Sequence, residues 1–209
     1  MDGGEIGSRR LTARGAATRE RITRAAADLI HAQGAAATSI EQVVEASGTS
    51  RSQVYHYFAD KDALISAVIK SQGDRTFANP QLEQLQSLQG LWEWRDQVVR
   101  NVRATRGAYG CAIGGLASEL NEHSEPARIL LAAALRTWES YLAAGLSRMR
   151  ASGDLRPETD VAKLAAGIMA ALQGGYLLSQ TARDAEPMEH ALDMALGYVR
   201  CFASVNAGV

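Results

Sequence analysis

Helix-favouring sequence runs along almost the whole chain, and this feature limits the possible folds more than any other. Only four prolines occur in 209 residues. Alanine and leucine recur throughout, whereas β-branched residues rarely follow one another. Proline removes a helical hydrogen bond and β-branched side chains favour strands, so their scarcity leaves helix as the local preference. The sequence therefore predicts an all-α fold of about nine helices.

The composition is that of an ordinary globular protein. With 46% hydrophobic and 22% charged residues, the chain can form a packed core in one or two domains. No apolar run approaches the roughly 20 residues that a membrane span needs, and residues 1–10 lack the apolar core of a secretory signal. Cys111 and Cys201 stand far apart without metal-ligand spacing. We therefore expect a cytoplasmic protein with reduced, packed thiols.

Basic residues are concentrated near the N-terminus, although the formal net charge of the chain is −1. Between residues 9 and 27, a single acid, Glu20, faces six arginines: Arg9, Arg10, Arg14, Arg19, Arg21 and Arg24. A local basic patch is enough to attract nucleic-acid phosphates, even when the net charge of the whole chain is not positive. We expect residues 1–17 to form a basic, flexible arm in which Arg9, Arg10 and Arg14 follow the minor groove or the backbone of DNA. The alternative is a solvated tail without contacts.

Two short helices are predicted after a longer first helix over residues 18–33, which Thr18 caps and Gly34 ends. The second helix covers residues 39–46, with Thr38 or Ser39 as its cap and with a buried stripe of Ile40, Val43, Val44 and Ala46. Ser50 caps the third helix, residues 51–57. A turn of small residues, Ser47, Gly48 and Thr49, joins these two short helices.

The third predicted helix turns only Val54 and Phe58 inward and presents a polar and aromatic outer face. A helix this short is not stable alone, so its outer face indicates a binding partner. Two helices joined by such a turn are typical of the unit whose second helix enters the DNA major groove. The alternative, a hairpin packed inside an ordinary bundle, would require an apolar outer face.

The residues around these helices form a recognisable combination. They are Thr38-Ser39-Ile40, Ala46-Ser47-Gly48, Ser50-Arg51, Val54-Tyr55-His56-Tyr57-Phe58 and Lys61-Asp62-Ala63-Leu64. Over residues 18–64 this combination resembles the DNA-binding domain of TetR-family regulators, from which only Thr49 departs, at a usually apolar position. Gly110-Cys111-Ala112-Ile113-Gly114 and residues 116–120 are similar to the LmrA/YxaF-like subgroup. The resemblance implies a nine- or ten-helix dimer whose C-terminal part holds a small-molecule pocket.

The residues expected to contact the duplex fall into two groups. The resemblance implies contacts to phosphates from residues near the helix caps and after the third helix: Thr38, Ser39, Ser50, Tyr57 and Lys61. Contacts to base edges are expected from the outer face of the third helix: Arg51, Ser52, Gln53, Tyr55 and His56. Arginine can form two hydrogen bonds with the edge of guanine, and glutamine can do the same with adenine. We therefore expect hydrogen bonds to bases from Arg51 and Gln53. Tyr55 would make an apolar or phosphate contact.

The expected domain organisation is a DNA-binding domain at residues 18–60, a linking helix at residues 61–77, and a ligand-binding and dimerisation domain at residues 78–209. The last of these is rich in aromatic and methionine side chains, which suit an adaptable apolar cavity. Candidates for its lining are Trp92, Trp94, Tyr109, Trp138, Tyr141, Met169, Gln173 and Tyr176. Each could instead belong to the core or the dimer contact. Gln173, Arg136 and Glu119 could orient a ligand.

The last two predicted helices, residues 159–182 and 187–204, carry apolar residues on more than one face. This surplus predicts a four-helix contact between two copies of the chain. The candidate contact residues are Leu164, Ile168, Leu172, Leu192, Ala195, Val199 and Phe202. Two reading helices about 34 Å apart would recognise a pseudo-palindromic operator.

Together these features predict a homodimeric repressor that a small, largely apolar effector releases from its operator. A regulator of the same fold that takes no ligand, or an activator, is the alternative, and an all-α ligand-binding protein or enzyme is a remote one. We find no P-loop, no dinucleotide fingerprint and no acid and base paired with a nucleophile, so no enzyme activity and no cofactor are expected. Glu119 and His123 lie one helical turn apart, but two ligands alone do not make a metal site, and none is expected.

Overall fold

The computed structural model describes residues 12–78 and 85–204. No strand occurs among these residues, where a single isolated bridge pairs Leu155 with Ala203. The all-α prediction is confirmed. The described residues form nine helices: α1 (Ala13–Gln33), α2 (Ile40–Ser47), α3 (Arg51–Tyr57), α4 (Lys61–Phe77), α5 (Leu88–Ala104), α6 (Ala112–Leu120), α7 (Glu125–Ser152), α8 (Val161–Ala182) and α9 (Glu186–Arg200).

Helix α1 begins five residues before the predicted start at Thr18. The side chain of Thr12 accepts a hydrogen bond from the backbone N–H of Gly15 and caps the helix. Thr18 instead donates its hydroxyl to the carbonyl of Arg14, as an interior helical residue does. Residues 13–17, which were expected in the flexible arm, are therefore helical. The other arm arginines, Arg9 and Arg10, lie outside the described residues.

The chain divides into two compact units, Met1–Val68 and Ile69–Val209, and the division falls within α4. In the first unit α1 packs against α2 and α3. The apolar side chains between these helices are almost fully enclosed: Ile22, Ala26, Val43, Val54 and Phe58. This core holds the short helix α3, which could not persist alone.

The inner side of α2 differs from the predicted stripe at its C-terminal end. Ala46 is exposed, and Ser47 is buried in its place. The hydroxyl of Ser47 lies 2.7 Å from that of Thr49, so the two polar groups pair inside the turn. Thr49, at the position where TetR-family regulators usually carry an apolar residue, is itself buried.

In the second unit α8 packs along α9, α7 packs against α8, and α5 packs against α9. The α8–α9 contact depends on Gly175, because a Cβ there would lie 2.7 Å from the sulfur of Met188. A buried arginine joins α5 to α9. The guanidinium of Arg95 lies 2.6 Å from the carboxylate of Asp193, 3.1 Å from Glu189 and 2.9 Å from Asp96.

Helix α8 is longer and more apolar than the sequence analysis expected of any segment. Its 22 residues are long and apolar enough to cross a membrane by length and composition alone. A core helix of a soluble protein can have the same length and apolarity, so one such helix is a weak sign of a membrane span. Leu164, Ile168 and Leu172 of α8 are buried inside the unit, which accounts for part of its apolarity.

Candidate functional site

The face of α3 that was expected to meet DNA is exposed. Val54 and Phe58 are buried, which confirms the predicted inward side of this helix. The opposite side carries five exposed residues: Arg51, Ser52, Gln53, Tyr55 and His56. Tyr57 is half-buried, with its ring at the edge of the His56 ring. The helix therefore presents hydrogen-bonding and aromatic groups outward, as a DNA-reading helix does.

Arg51 is held from two sides on this face. Its Nη1 lies 3.1 Å from Oε1 of Glu41 on α2, and its guanidinium carbon lies 5.7 Å from the centre of the Tyr55 ring. The side chains of Arg51 and Glu41 are 66% and 63% exposed, so the ion pair leaves the arginine accessible. Glu41 was not among the predicted site residues, although an acid at the start of α2 is visible in the sequence.

Gln53 has a second role as a capping residue. Its Oε1 accepts a hydrogen bond from the backbone N–H of Ser50 at 2.9 Å, while the Ser50 hydroxyl accepts one from the N–H of Gln53. This capping box uses one of the two lone pairs of the Gln53 amide oxygen. The oxygen keeps a second lone pair and Nε2 keeps its donors, so the cap leaves the groups that a bidentate contact to adenine needs.

Thr38 does not cap α2, contrary to one of the two predicted alternatives. Its hydroxyl donates to the carbonyl of Gly34 at 2.8 Å, and only 4% of the residue is exposed. Ser39 is the cap, in a box with Gln42 like that of Ser50 and Gln53. Lys61 is half-buried, and its ammonium group donates a hydrogen bond to the carbonyl of Ala36 at 3.2 Å. These bonds hold the loop between α1 and α2.

The second unit contains a cavity of about 330 Å³ lined by α6, α7 and α8. Two of the predicted pocket residues, Gln173 and Tyr176, line this cavity. A separate cavity of about 150 Å³ lies beside Tyr109 and shares Tyr176 with the first. The lining from α6 and its cap was not predicted; it comes from Cys111, Gly114, Gly115, Ala117 and Ser118.

The remaining pocket candidates do not line either of these cavities. Trp94, Trp138 and Met169 are buried in the core. Trp92 is half-buried, and the ring of Tyr141 stacks on that of Phe77 with centres 5.8 Å apart. Helical spacing identifies inward-facing aromatic residues, but neighbouring side chains decide whether they meet a void.

Of the polar candidates for ligand or metal contacts, those other than Gln173 lie apart from the larger cavity. Arg136 is exposed, and neither Arg136 nor Glu119 lines it. His123 lies beyond the end of α6 at Leu120, so it does not extend a helical face with Glu119. Among residues 12–78 and 85–204, no three His, Cys, Asp or Glu side chains form a group that could hold a metal ion.

The larger cavity is electrically neutral. Burial raises the pKa of the Cys111 thiol, and the backbone N–H of Gly114 and the Gln173 amide oppose this only in part. Burial, and then the nearby Cys111, raises the pKa of Tyr176 to about 12. Both groups are therefore protonated at neutral pH. Cys201, the other free cysteine, is exposed rather than packed.

The apolar faces of α8 and α9 differ from the predicted dimer residues. Leu164, Ile168, Leu172, Leu192 and Val199 are buried within the unit, and Ala195 and Phe202 are half-buried. Large apolar side chains on the outward sides of these helices are instead exposed: Leu177, Leu178, Met194 and Tyr198. We call these four residues the outer apolar face. Sequence periodicity found two apolar faces on these helices, and only packing distinguishes the inner from the outer one.

Both parts of the chain match models of known protein families. Residues 22–68 match the family model for bacterial regulatory proteins of the tetR family. Residues 87–195 match the model for the tetracyclin repressor-like, C-terminal domain. Both family models describe transcriptional regulators rather than enzymes.

Individual relatives extend this similarity over most of the chain. The HTH-type transcriptional regulator YxaF of Bacillus subtilis is 26% identical over 182 residues, which cover 85% of this chain and 92% of YxaF. LmrA of the same organism is 27% identical over 177 residues, or 83% of this chain and 92% of LmrA. A TetR transcriptional regulator from Chloroflexus aurantiacus has the same fold, with a TM-score of 0.76 at 23% identity over 90% of this chain and 96% of that one. The chain belongs to the TetR family of helix-turn-helix, DNA-binding transcriptional regulators.

Proposed function

We propose that the protein is a homodimeric repressor that leaves a pseudo-palindromic operator when a small, largely apolar effector binds its second unit. The observation that carries this proposal is the exposed face of α3, where Arg51 stands among hydrogen-bonding and aromatic groups above a buried apolar side. Fixing these side chains in one conformation costs conformational entropy, which contacts with a partner would offset. The family match supports DNA as that partner.

Within this proposal, Arg51 reads guanine with its guanidinium and Gln53 reads adenine with its side-chain amide. Tyr55 meets a thymine methyl or a phosphate, and Ser52 and His56 complete the base-facing group. The phosphate contacts come from the remaining residues near the caps and after α3: Ser39, Ser50, Tyr57 and Lys61. Thr38 acts indirectly, because its buried hydroxyl holds the α1–α2 loop.

The dimer contact in this proposal is the outer apolar face. Met194 is 75% exposed and Leu177 is 63% exposed, which is unusual for large apolar residues unless a partner covers them. A Cβ at Gly167, Gly174 or Gly197 would meet no atom within 4 Å. At these glycines the helix surface lacks side chains, so a helix of a second copy could approach closely. A two-fold contact would place two α3 helices on one duplex and multiply their specificity.

Effector release requires only that the ligand prefer the form that does not bind DNA. A preference of about 3 kcal/mol weakens the operator complex more than a hundredfold. Helix α4 continues from the first unit into the second, so it is the covalent route for this coupling. The cavity supports a ligand-controlled regulator over the alternative of a ligand-independent regulator or activator. The proposed location is the cytoplasm, where the DNA of a bacterial cell lies.

The test begins with selection of operator DNA from a random duplex pool by the purified full chain. We expect enrichment of a two-fold related sequence, with half-sites about one helical turn apart. Arg51→Ala should weaken binding to the selected duplex by about tenfold to a hundredfold and relax the base preference at one position in each half-site. Arg200→Ala is the matched control, since Arg200 is an exposed arginine on α9. Absence of enrichment, or equal affinities of wild type and Arg51→Ala, would contradict the proposal.

A further inference from the structure

The 330 Å³ cavity combines an apolar lining with one buried polar atom that lacks a partner. Nε2 of Gln173 is inaccessible to solvent and makes no hydrogen bond to any of the described residues. The Gln173 amide lies near the Cys111 thiol and slightly opposes the rise of its pKa, but no contact of hydrogen-bond geometry reaches Nε2. A buried N–H without an acceptor is costly, and few occur in native proteins. A ligand atom that accepts this hydrogen bond would remove the cost.

Glycines make room for both the amide and a ligand. A Cβ at Gly114 would lie 2.5 Å from Oε1 of Gln173, so only glycine lets the amide take its place beside α6. Gly115 and Gly174 also line the cavity, and a Cβ at either would meet nothing within 4 Å. The volume lies at the lower end of the 300 to 1,000 Å³ range of ligand pockets. The occupant is therefore small.

The lining contains no charged side chain. Cys111 and Tyr176 are its only residues with a titratable side chain, and both are neutral at pH 7. An ionic ligand would lose its hydration here without gaining a partner of opposite charge, which strongly disfavours it. Leu135, Ala117 and the Tyr176 ring instead favour an apolar body.

We propose that the effector is a small, neutral, largely apolar molecule whose carbonyl or similar acceptor oxygen takes the hydrogen bond of Gln173 Nε2. This inference rests on the proposed effector function and names the chemical class that the cavity selects. Two other polar side chains line the cavity, but the Ser118 hydroxyl already donates to the carbonyl of Gly114 and Gln180 is exposed. Gln173 therefore sets the specificity, because its Nε2 is a buried donor without a partner among the described residues. Molecules that lack the acceptor leave Nε2 unpaired, and anions pay for desolvation.

Three probes of nearly equal shape separate these effects: 2-acetylnaphthalene carries the acceptor, 2-ethylnaphthalene lacks it, and 2-naphthoate adds a charge. Their affinities for the full chain are measured by titration calorimetry. We expect the ketone to bind about tenfold more tightly than the hydrocarbon. The anion should bind more weakly than either of them. Gln173→Met should remove the preference for the ketone over the hydrocarbon. The matched control, Gln89→Met, makes the same change at an exposed position of α5 and should retain it.

A second variant locates the binding site independently of Gln173. Gly115→Leu places a side chain where a Cβ meets open space at the cavity lining, so it should keep the helical content and abolish binding of the ketone. Unchanged binding to Gly115→Leu would overturn the inference. So would a preference for 2-naphthoate, a preference for the ketone that survives Gln173→Met, or failure of the ketone to bind at millimolar concentration.

The effect of the ketone on operator DNA separates this inference from the proposed function. If the ketone binds with the expected preference and operator affinity falls, both are supported. If it binds with that preference and operator affinity is unchanged, the release step is wrong, but the assignment of the cavity stands.

Discussion

The carboxylate of Glu41 on α2 lies 3.1 Å from the guanidinium of Arg51 on α3, so an acid holds the main base-reading candidate on the outer face of its helix. Both side chains are about two-thirds exposed, and such pairs contribute little to stability. We predict that the pair affects DNA binding instead. A negative charge beside a bound duplex would repel phosphates, while the orientation it imposes on Arg51 would favour one base.

Glu41→Gln should therefore strengthen binding to random DNA by a few fold and lower the ratio of operator affinity to random-DNA affinity. Fluorescence anisotropy with an operator duplex and a scrambled duplex measures both quantities. Glu45→Gln removes the same charge from the exposed end of α2 and serves as the control. Equal changes in the two variants would mean that the lost charge, and not the contact with Arg51, is responsible.

Lys61→Ala should weaken binding to operator and random duplexes to a similar extent, because an ammonium group at a phosphate carries no base preference. The slope of log affinity against log salt should become shallower by about one. Titrations at several salt concentrations measure this slope. A change in base preference without a change in slope would assign Lys61 to base reading.

Met194→Asp should dissociate the dimer, because it places a charge on the most exposed residue of the proposed outer apolar face. Sedimentation velocity should then show a single species with the mass of one chain, and operator affinity should fall together with the dimer. Ile129→Asp is the matched control, since Ile129 is another exposed apolar residue, on α7. A wild-type protein that is monomeric at micromolar concentration would contradict the proposed contact.

Arg95→Ala should lower the free energy of unfolding by about 2 kcal/mol, because it removes the cation shared by Asp193, Glu189 and Asp96 and leaves only Glu189 with another partner among the described residues, Arg103. Denaturant unfolding followed by circular dichroism gives this value. Arg100→Ala, at an exposed position of the same helix, should change stability little. A loss as small as that of Arg100→Ala would show that the buried arginine adds nothing beyond surface pairing.

Tyr176 should make the protein less stable at alkaline pH. Its pKa in the folded protein is about 12, above the ordinary value of 10, because burial disfavours the phenolate. The unfolded chain therefore loses this proton first, and stability falls as pH rises from 10 through 12. Tyr176→Phe should reduce that fall, and a phenolate absorbance titration should lose its most alkaline component. A late component that persists in Tyr176→Phe would assign it to another tyrosine.

The sequence by itself determined the helical fold, the limits of α3 and the identity of its outer face. These depend on local properties: helix propensity, caps at Ser39 and Ser50, and apolar spacing that sets Val54 and Phe58 inward. The capping box of Ser50 and Gln53 is another local feature, because it depends only on their three-residue spacing.

Only the tertiary structure decided which apolar residues are core, cavity lining or outer face. Leu172 and Leu178 of α8 are chemically alike, yet the first is buried and the second is 56% exposed. The cavity itself depends on where Gly114 lets α6 approach Gln173. Likewise, the pairing of Glu41 with Arg51 requires α2 and α3 to meet at one angle. Packing between helices separated along the chain sets these relationships, and local propensity and periodicity carry no information about that packing.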